Sequence, residues 1–220
     1  MWHLAEMVPG YLKRTSLLLQ AEDVNVDDVK VMYNDLIALI YRFNTWCNTF
    51  EAQHDQPTHY LRPSERYAIM PFTKCFGFID LLTADILVSH WFHLFELLRR
   101  ALTFRSTFEV ILKQSSQTCD ILHENTLLEL ARNICQSAEY IFFYPNRGFE
   151  RLCKGFVPLR RIYDWYCEQP ERFEQERSWC WTVMEDLAKS TLDGGLAKYF
   201  ALSILGSAQP MDVDAILVPT

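Results

Sequence analysis

The chain has 220 residues, of which 50% are hydrophobic and 14% aromatic, with 21 lysines and arginines against 28 aspartates and glutamates. The net charge of −7 and the lack of a clustered basic segment argue against direct DNA binding. Only 7 glycines are present, which disfavours glycine-rich phosphate loops and folds built on tight β-turns.

The seven cysteines are widely spaced and none forms a C-x-x-C pair, so the spacing typical of zinc sites is missing. We therefore predict neither a metal nor another cofactor. The sequence begins without a charged-then-apolar leader and contains no run of about 18 apolar residues. These features predict an intracellular, cytoplasmic protein without a membrane span, whose cysteines are reduced and mostly buried.

The first part of the chain shows helical periodicity up to a long proline-containing segment. A first helix is expected to be kinked or divided at Pro9-Gly10. Apolar residues over 29–50 recur at steps of three and four, which predicts a second helix with one buried face. The segment 53–77 contains three prolines and is predicted to be a long loop.

The rest of the chain continues the helical pattern. Asp80 is expected to open the most apolar helix, over 81–102, which should lie in the core. We predict a linker at 113–118, helices over 120–143, 158–167 and 170–190, a turn at 144–148, and a last helix over 196–205. Proline is expected at the start of the helices at Pro158 and Pro170.

The predicted fold class is therefore all-α, because no segment longer than five residues alternates with period two. We predict a single multi-helix orthogonal or bundle domain of about seven helices over 1–208, with a long loop after the second helix. A C-terminal tail is expected over 209–220.

Searches for catalytic motifs find no nucleotide-binding glycine motif, no H-E-x-x-H sequence and no G-x-S-x-G elbow. Asp27-Asp28 lacks a third carboxylate one turn on, which argues against a magnesium-dependent terpene cyclase. His90, His93 and Glu96 come nearest to a metal-ligand set. We interpret Glu96 as an ion-pair partner of Arg100 and His90 as a polar group in an apolar cavity.

A dense set of aromatic residues occupies the C-terminal half. Helical spacing of such residues is typical of a core, but the polar tips of tyrosine and tryptophan also suit a cavity for a flat or polycyclic ligand. The set consists of Tyr140, Tyr144, Tyr163, Trp165, Tyr166, Trp179 and Trp181.

Several segments resemble one known family. Residues 134–140 (ICQSAEY), 158–166 (PLRRIYDWY) and Trp179-Cys180 resemble the C-terminal part of the fungal-specific regulatory domain of Zn2Cys6 binuclear-cluster transcription factors. Upstream, Trp46, Pro71-Phe72, Phe76, 78–80 and His90-Trp91 fit the same pattern. The resemblance covers about residues 1–205 and implies an all-helical fold.

In full-length members of this family, the regulatory domain lies downstream of a six-cysteine zinc cluster that binds DNA. Nothing in this sequence supplies that cluster. The matching residues are mostly structural: Pro158 would open a helix, and Arg160 or Arg161 would pair with Glu139 or Asp164. The resemblance carries over no active site.

Two functions are compatible with these features. The first is a stand-alone small-molecule-binding protein of fungal secondary metabolism, acting as a metal-independent cyclase, pericyclase-like enzyme or isomerase. Such an enzyme would hold an apolar polyketide or terpenoid in a reactive shape and polarise it with a few donors. His90 and Tyr140 are the predicted catalytic residues. The predicted ligand-binding residues are His59, Tyr60, Arg66, Trp91, Tyr144 and Trp165.

The alternative function is a transcription-factor-like regulator without its DNA-binding zinc cluster. It would sense an effector or dimerise, act through protein partners as a homodimer, and lie in the nucleus. A closed cavity lined by the aromatic set would favour the first function, whereas an exposed apolar patch would favour the second.

Overall fold

The computed structural model describes residues 1–113, 122–143 and 149–190. These residues contain seven helices and one two-stranded sheet, so the predicted all-α fold is confirmed. The helices are α1 (Trp2–Gln20), α2 (Val26–Ala52), α3 (Leu81–Thr107), α4 (Glu109–Leu112), α5 (Glu124–Phe143), α6 (Phe149–Cys167) and α7 (Glu174–Ser190). The strands are β1 (His59–Pro63) and β2 (Lys74–Phe78). The predicted last helix, the tail, the turn at 144–148 and most of the predicted linker lie outside the described residues.

The chain divides into two compact units. Within the described residues, unit 1 contains 1–56 and 90–131, and unit 2 contains 57–89 and 132–190. In unit 1, Val29, Leu36, Ile40 and Phe43 of α2 are completely buried, which matches the predicted apolar face.

The core of unit 2 includes the packing of α6 against α7. Tyr166 of α6 is completely buried, and its ring lies 5.0 Å from the ring of Phe173. The buried thiols of Cys135 and Cys180 lie 3.6 Å apart as free cysteines. Burial raises the pKa of the Cys180 thiol well above its ordinary value.

Two helix starts carry side-chain caps. The amide of Asp27 donates to Asn25 Oδ1 at 2.8 Å at the start of α2, and Asp27 and Asp28 lie in the first turn, where carboxylates suit the helix dipole. The amide of Thr83 donates to Asp80 Oδ1 at 2.7 Å. Asp80 therefore precedes and caps α3, as predicted.

The predictions based on proline were wrong in two of the later helices. Pro158 lies inside α6, which already begins at Phe149. Proline removes one helical hydrogen bond, but the buried face formed by Phe156, Leu159 and Ile162 favours a continuous helix. Pro170 precedes α7 and lies in a turn in which the Arg172 amide donates to the Gln169 carbonyl.

The first helix also differs from one of the predicted alternatives. α1 is one helix that continues through Pro9, so it is not divided there. Leu4, Val8, Leu12 and Thr15 are buried at steps of three and four on both sides of the proline. Burial along one stripe of the helix offsets the hydrogen bond that proline cannot make.

The predicted loop at 53–77 contains most of an antiparallel hairpin, which was missed. In this hairpin Tyr60 pairs with Gly77 and Arg62 pairs with Cys75. In β2, Cys75, Phe76 and Phe78 are buried, so the strand has apolar residues on both faces and no alternating pattern. Five residues of this kind carry little periodic signal.

α3 is the one described helix that is long and apolar enough to cross a membrane, with a mean hydropathy of 1.3 in its most apolar window. However, 67% of that window is buried inside the protein. A core helix has the same length and composition, so these properties are weak evidence for a span.

Candidate functional site

A cleft of about 530 Å³ lies within unit 2. Residues of the hairpin, of the turn after β1 and of the end of α5 form its lining. They are Tyr60, Arg62, Glu65, Arg66, Gly77, Phe78, Ile79, Glu139, Tyr140 and Phe143. Its volume lies within the range of about 300–1,000 Å³ that is usual for small-molecule sites.

Glu139 of α5 connects the parts of this cleft. Its side chain is only 6% exposed, and its carboxylate accepts from side chains and from the backbone. The Oε2 donors are the Ser64 hydroxyl and the Arg66 amide at 3.1 Å. The Oε1 donors are the Glu65 amide at 3.2 Å, Arg62 Nη2 at 3.5 Å and Cys75 Sγ at 3.5 Å. The carboxylate thus holds the turn after β1 against α5.

The surroundings of Glu139 keep it ionised. Burial by itself raises the pKa of a carboxyl group, because it penalises the charged form. The hydrogen bonds from Ser64 and from the amides of Glu65 and Arg66 outweigh that effect, so the pKa of Glu139 is below its ordinary value. Glu139 is therefore a carboxylate at neutral pH and an acceptor of hydrogen bonds.

Two arginines line the cleft with different degrees of pairing. Arg62 donates from Nη1 to Glu65 at 3.0 Å and from Nη2 to Glu139 at 3.5 Å. The guanidinium carbon of Arg66 lies 3.8 Å from the centre of the Phe143 ring, an arrangement favoured by the ring quadrupole. Arg66 Nε lies 3.8 Å from Asp186 Oδ2.

The ring of Tyr60 lies directly over Gly77, its partner across the hairpin. A Cβ atom added at Gly77 would be 2.6 Å from Tyr60 Cζ. Only glycine leaves room for the ring in this position, so Gly77 sets where Tyr60 stands in the wall of the cleft.

Further contacts hold the turn that carries Arg66. The Tyr67 hydroxyl donates to Asp186 Oδ2 at 3.0 Å, and Trp179 Nε1 donates to the Tyr67 carbonyl at 3.3 Å. Burial, together with the bond to Asp186, raises the pKa of Tyr67 above its ordinary value. The turn is thus fixed to α7 as well as to α5.

Three of the predicted site residues meet in this cleft: Tyr60, Arg66 and Tyr140. Tyr140 is buried, its ring centre lies 5.0 Å from that of Phe78, and its hydroxyl donates to the Phe78 carbonyl at 3.5 Å. His59 does not line the cleft, and its ring instead meets Phe76 edge-on at 4.9 Å.

The other predicted residues of the C-terminal half do not add to the lining. Trp165 is buried in the core of unit 2, with its ring 5.3 Å from those of Tyr166 and Phe173. Tyr144 lies outside the described residues. Of the predicted aromatic set that the structure describes, Tyr140 alone lines the cleft.

His90 and Trp91 belong to unit 1 and are both buried. The His90 ring lies 5.7 Å from Phe43 and 5.4 Å from Trp46, and its Nδ1 has no hydrogen-bond partner among the described residues. Burial, the nearby His93 and the N-terminal amine lower the pKa of His90 to about 4. His90 is therefore neutral at physiological pH.

No group of three histidine, cysteine, aspartate or glutamate side chains in the described part of the chain is arranged to hold a metal ion.

The predicted alternatives for ion pairing are partly confirmed. Arg160 Nε lies 2.9 Å from Asp164 Oδ1, whereas Glu139 pairs with Arg62.

The sequence prediction missed most of the lining, including Glu139 itself as a site residue. One signal was available for Glu139: it stands between Ala138 and Tyr140 on a helix whose residues from Ile134 to Phe142 are mostly buried. A charge in such a setting requires partners. The sequence gives no indication that those partners lie in a segment expected to be a loop.

Comparison of the chain with known protein families, with curated proteins and with solved structures finds no match. The resemblance to the fungal-specific regulatory domain therefore stays a prediction.

Proposed function

We propose that this protein binds a small organic molecule with an apolar, ring-containing body in the cleft of unit 2. The observation that carries the proposal is the combination of a ligand-sized volume with aromatic side chains in the lining. Tyr60, Phe78 and Phe143 provide flat apolar surfaces beside four charged side chains, and a site that combines aromatic surfaces with polar groups can fix the orientation of a ligand.

Preorganisation supports binding at this place. The turn after β1 is held by the Glu139 carboxylate, and the Tyr60 ring is seated on Gly77. A ligand that enters walls already in position loses less free energy to the ordering of side chains. The cleft therefore suits a rigid, planar molecule better than a flexible chain.

Any catalysis in this cleft would be directed by shape. The described lining contains no histidine, and Glu139 is held as a carboxylate, so a proton donor that titrates near neutrality is missing from it. A cofactor-independent ring closure of the kind catalysed by cyclases and pericyclases depends on holding the substrate in a reactive conformation. We include that activity in the proposal, and mass spectrometry of the products would detect it.

Saturation-transfer NMR with 2-naphthamide, a neutral two-ring probe, tests the proposal. We expect transfer from the wild-type protein to the probe. Tyr60→Leu should reduce it several-fold, because the change removes one aromatic wall. Tyr60 is 57% exposed, so its replacement should leave the fold intact.

Tyr41→Leu is the matched control, because Tyr41 is a similarly exposed tyrosine on α2 that does not line the cleft. This variant should bind the probe as the wild type does. Absence of transfer to the wild type, or an equal loss in both variants, would contradict the proposal.

A second candidate function is a regulatory module that acts through protein contacts. The observation behind it is a set of exposed apolar side chains within unit 2, which would form an interaction surface where they adjoin. They are Tyr60, Leu61, Ile69, Met70, Ile79 and Leu82. Sedimentation velocity of the wild type and of Leu82→Glu tests self-association: a dimer that the variant dissociates would support this candidate, and a monomer in both cases would oppose a homodimer.

A further inference from the structure

Some charged side chains of the cleft are fully paired with others, and some are paired only in part. Formally, two arginines face two glutamates. Glu139 is buried and satisfied by its donors, and Arg62 is shared between Glu139 and Glu65. These three residues form one network in which a single guanidinium is shared by two carboxylates, so the network keeps a formal charge of −1 and has no cation left over.

The side chain of Arg66 stands outside that network, although the Arg66 amide donates to Glu139. Its guanidinium carbon lies 3.8 Å from the centre of the Phe143 ring, and its Nε forms a half-exposed ion pair with Asp186 Oδ2 at 3.8 Å. That same oxygen already accepts from the Tyr67 hydroxyl at 3.0 Å. Within the described residues, the two terminal nitrogens of Arg66 make no hydrogen bond.

The geometry points to a ligand that carries a carboxylate on its aromatic body, with Arg66 as the residue that receives the carboxylate; this inference rests on the proposed function. A guanidinium presents two parallel N–H donors that match the two oxygens of a carboxylate. Phe143, the ring beside the guanidinium, also lines the cleft. Phe143 would therefore contact the ring system of the ligand while Arg66 binds its carboxylate.

The pair 2-naphthoate and 2-naphthamide tests this inference, because the two molecules have nearly the same shape and differ in charge. We expect 2-naphthoate to bind the wild type about tenfold more tightly, the scale of a charge-assisted hydrogen bond that is partly exposed to solvent. Raising the ionic strength from about 0.05 M to about 0.5 M should weaken the binding of 2-naphthoate and leave the binding of 2-naphthamide unchanged.

Arg66→Gln should weaken the binding of 2-naphthoate much more than that of 2-naphthamide, so that the preference between the two probes is lost. The matched control is Arg14→Gln, since Arg14 also lies over an aromatic ring, that of Tyr11 at 4.5 Å, but does not line the cleft. It should retain the preference in full.

The possible failures are distinguishable. If 2-naphthamide binds with the expected dependence on Tyr60 and 2-naphthoate binds no better, the inference is wrong and the proposed function stands. If the preference for 2-naphthoate persists in Arg66→Gln, the assignment to Arg66 is wrong. If neither probe binds, the proposed function fails, and the inference fails with it.

Discussion

Replacement of Glu139 by glutamine tests whether this residue organises unit 2. The change keeps the size of the side chain but replaces one carboxylate oxygen by an NH2 group. Each oxygen of Glu139 accepts from at least two donors. Whichever way the new amide is oriented, it therefore turns an N–H donor towards other donors.

The magnitude follows from the contacts that are lost. If the amide nitrogen takes the place of Oε2, the Ser64 hydroxyl and the Arg66 amide lose their acceptor. If it takes the place of Oε1, the Glu65 amide and two longer contacts lose theirs. A hydrogen bond to a charged group contributes about 1.5–3 kcal/mol. Because the donors regain some water, we expect the free energy of unfolding to fall by about 3 kcal/mol.

Urea denaturation followed by circular dichroism measures this change as a lower midpoint with an unchanged slope. Glu65→Gln is the control, because the Glu65 side chain is 81% exposed and, among the described residues, pairs with Arg62 alone. Surface pairs contribute little, so its effect should stay within about 0.5 kcal/mol. A Glu139→Gln variant as stable as this control would refute the role assigned to the carboxylate.

Four further predictions concern the pH dependence of stability and two glycines. The folded-state pKa of Glu139 is below its ordinary 4.5. The ionised carboxylate therefore stabilises the folded protein above pH 4.5, and this stabilisation is lost as the pH falls through the folded-state pKa. The free energy of unfolding of Glu139→Gln should not show this decrease on acidification. His90 has a folded-state pKa of about 4 against an ordinary 6.5, so stability should fall by up to about 3 kcal/mol as the pH drops from 6.5 to 4, and His90→Gln should reduce that fall. Gly77→Ala should displace the Tyr60 ring, and because that ring is the exposed end of a side chain, the free energy of unfolding should fall by no more than about 1 kcal/mol; the penalty should vanish in a Tyr60→Ala background. Gly10→Ala, where nothing lies within 4 Å, should instead stabilise α1 by about 0.5–1 kcal/mol. Equal pH profiles for variant and wild type, or a Gly77→Ala penalty that persists without the ring, would contradict these predictions.

The helices could be predicted because their cores follow a single repeating pattern. The buried residues of α2, including Leu36 and Phe43, recur at steps of three and four, and Asp80 stands directly before an apolar run. Prolines misled the prediction of helix starts, since the burial of Leu159 and its neighbours favours a helix through Pro158. Local chemistry suggests a boundary there, and tertiary packing overrides it.

The candidate site could be predicted only in part. Tyr60, Arg66 and Tyr140 were recognisable as residues that combine flat or charged groups with polar atoms, and they line the cleft. Glu139 was not, because its role depends on amides of the turn at 64–66, which is distant in sequence. Such pairing arises from the register of a hairpin, and short strands without alternation leave no periodic trace of that register.

The pairing of Tyr60 with Gly77 also has a consequence for how the hairpin finds its alignment during folding. Gly77 is flanked by Phe76 and Phe78, so a slip of one residue in either direction would set the Tyr60 ring opposite another aromatic side chain. A one-residue slip also moves every side chain to the other face of the sheet. Such a slip would take the Tyr60 ring away from Gly77 and out of its place in the lining, so the shape of the cleft depends on the alignment of the strands.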